Sequence, residues 1–168
     1  MWGPCCNGRM SETRWLNDQE QGMWRRYRNM NQLLELAIER QLQRDASMSQ
    51  SDYAVLVTLS ESDGNGLRAR DLGAALGWDR SRVSHQVRRM EGRGLVAKSE
   101  CAEDGRGTIV TLTDEGSRAI TAVAPKHVEK VRELFIDVLT ADEVRDLTDI
   151  FERVVAQIDE VDGITLPT

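Results

Sequence analysis

Apolar residues recur three and four apart along most of this chain, and the breaks in that spacing divide it into elements. Met23, Tyr27, Met30, Leu34, Ile38 and Leu42 predict a first helix of about 25 residues, which Asn17 and Glu20 open as a capping box. Trp24, Leu33 and Leu36 add apolar surface beyond one stripe, more than a small domain covers, so the pattern calls for a partner subunit. Ser49 and Asp52 form a second box, and Tyr53, Leu56, Val57 and Leu59 carry a short helix to about Ser60. Residues 62–66 (SDGNG) are a turn by composition, and residues 68–76 read as a third helix closing at Gly77.

The fourth helix is the most distinctive. Asp79 is a good N-cap, and Val83, Val87 and Met90 fall on one side, with Trp78 placed to staple onto Val83. Ser81, His85 and Arg88 point the opposite way, flanked by Arg82, Ser84 and Arg89, until Gly92 and Gly94 end the helix. Short hydroxyls allow close approach to a groove and arginine forks suit guanine edges and phosphates, although an amphipathic helix with a solvated basic face accounts for the spacing equally well. Residues 95–99 (LVAKS) and 108–112 (TIVTL) read as two strands joined by a polar loop, so a helix-turn-helix is followed directly by a hairpin. In that loop Asp104 can brace Arg106 to point outward into a minor groove, or the two form only a solvated ion pair.

Thr113 caps a fifth helix, with Asp114 and Glu115 in its first turn and a stripe from Ile120 to Val138. Pro125 inside it predicts a kink or a break. Thr140 and Glu143 box the last helix, where Val144, Leu147, Phe151, Val154, Ile158 and Val161 keep a three-four spacing that suits a dimer interface.

Composition then narrows the function. The 168 residues make about one domain, 30% charged, and no apolar run approaches the roughly 20 residues that span a bilayer. The first ten residues lack the apolar core of a secretory signal, which predicts a cytoplasmic protein, and Met10 is a second candidate start. Cys5 and Cys6 are adjacent and Cys101 stands alone, so neither a disulfide framework nor a zinc site is expected. The net charge of −6 argues against nucleic acid until it is mapped: residues 67–107 carry +3 and the remainder −9. His85 and His127 lack a nucleophile and carboxylate at any motif spacing, and no P-loop or G-x-S-x-G occurs, so no enzyme, metal or cofactor is predicted.

Residues 67–116 resemble the winged-helix core of the multiple antibiotic resistance regulator (MarR) family, most closely in DRSRVSHQVRRMEGRGLV, the wing DGRG and the following LTDEG. The resemblance implies a mainly α fold with a small β-hairpin wing, and a homodimeric regulator of double-stranded DNA, most simply a repressor on an inverted-repeat operator. Five parts follow from it: a disordered tail (1–14), a first dimerisation helix (15–48), the winged helix-turn-helix (49–116), C-terminal dimerisation helices (117–162) and a last tail (163–168). By position, the helix contacts fall on Ser81, Arg82, Ser84, His85 and Arg88 and the wing contacts on Asp104 and Arg106. His85 departs from the arginine of many relatives. A small aromatic effector is also implied, with Trp15, Trp24, Tyr27 and Tyr53 as candidate walls, against the alternative that these rings fill the core. Two rival readings are a winged helix that binds only proteins and a redox sensor using Cys101, the latter disfavoured because Glu100 and Glu103 raise a thiol pKa.

Overall fold

A computed structural model describes residues 13–100 and 107–164. The chain falls into two compact units, the first ending at Glu35 and the second beginning at Leu36, a division that lies inside the first helix.

Local capping fixes most helix starts. Helix α1 (Asp18–Ala46) opens on the expected box: the Glu20 N–H donates to Asn17 Oδ1 at 2.9 Å and the Asn17 N–H to Glu20 Oε2 at 2.8 Å. At 29 residues it exceeds the predicted length. Its stripe divides in use, for Ile38 and Leu42 are buried while Met23, Tyr27 and Met30 are exposed. Helix α2 (Gln50–Ser60) starts on the Ser49–Asp52 box and buries Val55, Leu56 and Leu59.

A 3-10 turn (Asp63–Asn65), with Gly64 at a φ of 68°, leads into strand β1 (Gly66–Arg68). The sequence pattern gave no strand there. β1 pairs with β3 (Thr108–Leu112), and β3 with β2 (Val96–Glu100), all antiparallel in the order β1-β3-β2, with Leu67 and Lys98 both opposite Val110. The predicted hairpin therefore gains a third strand, and the turn after α2 is tied to the wing.

Helix α3 (Ala69–Leu76) ends in a Schellman motif: Gly77, at a φ of 63°, donates its N–H to the Ala74 carbonyl and Trp78 donates to the Gly73 carbonyl at 2.8 Å. That closed turn aims the next helix, α4 (Arg80–Glu91), across α3. The two approach so closely that a Cβ on Gly73 would lie 3.0 Å from the Trp78 carbonyl oxygen and 3.2 Å from Val83 Cγ2.

Helix α5 (Asp114–Val131) runs through Pro125 unbroken, contrary to one of the two outcomes expected from that residue. The α-helical pattern gives way only at a π turn (Arg132–Ile136), after which the Thr140–Glu143 box starts α6 (Ala141–Asp162). No residue of α6 is buried. Among the described residues no helix is long and apolar enough to cross a membrane.

Candidate nucleic-acid interface

The interface is built on α4. Val83, Val87 and Met90 are 3%, 2% and 0% exposed, and Gln86 joins them on the inner side. This leaves Ser81, Arg82, Ser84, His85 and Arg88 in solvent together with Arg89, so the five predicted helix residues share one exposed surface. At the helix start Asp79 Oδ1 accepts the N–H groups of Arg82 (3.0 Å) and Ser81 (2.8 Å), and the Arg82 N–H, the Ser81 hydroxyl and the Ser81 N–H hold its carboxyl below the usual carboxylate range.

Two features fix how this helix is held. The first is the Arg82 guanidinium, which lies 4.2 Å over the ring of Trp78, one turn earlier. Trp78 was expected to staple onto Val83; both line one cleft, but a face of the indole carries an arginine. The second is Asp52, 1% exposed, whose carboxylate accepts from Gln86 Nε2 (2.6 Å), Arg93 Nη1 (2.8 Å) and the Ser49 N–H (2.9 Å). Burial pushes its pKa up, but the Ser49 N–H, the Arg93 guanidinium and the Ser49 hydroxyl more than reverse this and keep the group ionised. Arg93 also donates to the Ser47 carbonyl at the end of α1, a corner where Ser47 sits at a φ of 49°.

A cleft of about 540 Å3 runs beside α4, lined by Arg68 and Arg70 at the start of α3, Arg80 and Ser84 of α4, Trp78, and Thr108 of β3. Arg68, Arg70 and Arg80 belong to the positive charge counted over residues 67–107 but not to the predicted contacts, and their positions at the starts of two successive helices bring them to this cleft. Lys98 of β2 pairs with Glu91 of α4 at 2.7 Å, bracing the wing against the end of the helix. Cys101, Asp104 and Arg106 lie outside the described residues.

The MarR family model matches residues 46–107. Sco3205 of Streptomyces coelicolor, a MarR family transcriptional regulator solved in complex with DNA, is 41% identical with a TM-score of 0.85, over 94% of this chain and 98% of its own. The chain belongs to the MarR family. AbsC of the same organism, another MarR family transcriptional regulator, is 38% identical with a TM-score of 0.84, over 88% of this chain and 99% of its own. The PcaV transcriptional regulator of S. coelicolor, solved in complex with its natural ligand, is 27% identical with a TM-score of 0.64, over 84% and 96%.

MarR membership makes the chain a DNA-binding transcription regulator and not an enzyme, with the mainly α, winged fold expected from the resemblance. The four candidate effector aromatics are divided between the two units. Trp15 is 83% exposed, and Trp24 and Tyr27 stack on each other at 5.4 Å in the first unit. Tyr53 belongs to the second unit, where its ring lies 4.2 Å from the His127 imidazole of α5, a partner the sequence did not suggest. Burial holds that imidazole below its ordinary pKa, and its Nδ1 is buried without a hydrogen-bond partner among the described residues.

Proposed function

We propose that this MarR regulator is a homodimeric repressor that reads an inverted-repeat operator with two copies of α4. The observation that carries the reading is the division of α4 into a stripe of Val83, Val87 and Met90 held inside and a Ser/Arg/His surface held outside. Such donors match guanine edges and phosphates. Ser81, Arg82, Ser84, His85 and Arg88 take the major groove, and Asp104 and Arg106 the adjacent minor groove.

The dimer rests on apolar surface with nothing over it. Ile150, Phe151, Val154, Val155, Ile158 and Val161 of α6 are 41–67% exposed, and Met23, Trp24, Leu33 and Leu36 of α1 are likewise open. Stripes of that extent are seldom left to water, and a second copy supplies identical, self-complementary ones. A dimer spanning two successive major-groove faces occludes the duplex it covers, so repression follows where the operator overlaps a promoter.

Enrichment of duplexes from a random pool by the purified protein tests this. The enriched sequences are expected to contain an inverted repeat with half-sites centred about 10 base pairs apart. Titration of the enriched duplex with Arg88→Ala is expected to show at least about tenfold weaker binding. Enrichment of no motif, or wild-type affinity in Arg88→Ala, would refute the reading.

A second reading concerns control by a small ligand, which PcaV's complex with its natural ligand favours and which we take to be an aromatic acid. In this chain its support is the Tyr53–His127 pair, an aromatic face beside a buried nitrogen with no partner among the described residues. Calorimetry with benzoate and hydroxybenzoates is expected to give binding heat that disappears in His127→Phe. Absence of heat with every acid would leave the ring pair as core packing only.

A further inference from the structure

We propose that Trp78 positions the Arg82 guanidinium for DNA and acts on operator binding through that one side chain. The inference rests on the reading that α4 enters the major groove and adds a residue outside the predicted contact set. Three successive devices converge on Arg82. The Schellman motif fixes the Trp78 backbone, through its N–H on the Gly73 carbonyl at 2.8 Å. Asp79 then accepts the Arg82 N–H at 3.0 Å, fixing where that side chain starts. Last, the indole lies 4.2 Å beneath the guanidinium and fixes where it ends.

Stacking suits this task chemically. An arginine on an aromatic face keeps its N–H donors in the guanidinium plane, where their edges remain available for a bidentate contact. Arg82 makes no ion pair among the described residues, so the ring is what limits its rotamers in the free protein. An arginine ordered before binding loses less side-chain entropy on the duplex than a solvated one, and the difference appears as affinity. Among the described residues, Arg88 and Arg89, further along α4, have no such aromatic platform.

The test is a double-mutant cycle on the duplex enriched by the wild-type protein, using Trp78→Leu, Arg82→Ala and the pair, with Arg88→Ala as control. Trp78→Leu is expected to weaken binding about fivefold. In the Arg82→Ala background the same change is expected to do nothing further. Trp78→Met fills a comparable volume without an aromatic face, carries the same expectation, and serves if the leucine variant does not fold. Trp78→Phe should recover most of the affinity. Trp78→Leu binding within twofold of wild type or more tightly, or losses that multiply fully in the double variant, would overturn the proposal. If Arg88→Ala weakens binding and Trp78→Leu does not, only this inference fails. If Arg82→Ala and Arg88→Ala both bind as wild type, the major-groove reading fails and this inference with it.

Discussion

Replacing Asp52 with alanine is expected to lower the unfolding free energy by about 3 kcal/mol, because one buried carboxylate serves three donors at once. The change removes the side-chain half of the Ser49–Asp52 capping box, strands the Gln86 amide on the inner face of α4, and leaves Arg93 without its counter-charge. Arg93 is partly exposed and recovers water, which keeps the loss near the lower end for broken buried pairs. Asp52→Asn retains the shape and one acceptor, and is expected to lose about half as much. The carboxyl is held below its unfolded pKa, so its contribution is fully present above about pH 4 and disappears as pH falls through the folded value. Urea midpoints at fixed protomer concentration, taken at pH 7 and pH 3.5, measure both effects. A loss under about 1 kcal/mol at pH 7 would refute the account. Gln86 lies in the middle of α4, the helix proposed to enter the major groove, so DNA affinity is expected to fall along with stability.

This network also marks where sequence reading stops. Asn17, Ser49 and Thr140 were legible as caps because each partner lies three residues on, and all three boxes form. The division of α4 was legible for the same reason, since helical spacing alone places Val83, Val87 and Met90 together. Asp52 was legible only as a cap. Its other partners, Gln86 and Arg93, are 34 and 41 residues away, and no local pattern announces them. Strand β1 was missed because three residues are too few to show alternation, and it exists only through its pairing with β3. Trp78 was read by the rule for apolar staples, but its ring also faces an arginine four residues on. Pro125 left two outcomes open, a kink or a break, and the structure excludes the break. Proline removes one hydrogen bond from the ladder, and here helical geometry persists on both sides of the gap.

The second large effect is expected at Gly116, where alanine should cost about 3 kcal/mol or more although alanine is the better helix former. Gly116 stands in the first turn of α5, and its N–H donates to Thr113 Oγ1 at 3.0 Å. The same hydroxyl donates to the Gly94 carbonyl at 2.6 Å, and the Thr113 N–H to the Leu95 carbonyl at 3.3 Å, so this turn is docked on the corner between α4 and β2. A Cβ on Gly116 would overlap the Leu95 carbonyl oxygen, lie 3.0 Å from the Leu95 carbonyl carbon and come within 3.2 Å of Leu112 Cδ2. Backbone rather than a flexible side chain obstructs it, so relief requires moving α5 away from the corner and stretching the Thr113 bonds. Gly22→Ala in α1 supplies the contrast. Its nearest obstacle is the end of the Arg26 side chain at 2.9 Å, which can swing away, and that variant is expected to gain up to about 1 kcal/mol. Urea unfolding of both variants at one protomer concentration should therefore move the midpoint in opposite directions. A neutral Gly116→Ala would mean that α5 does not bear on the base of the wing, and that the glycine of the LTDEG run is not required by packing.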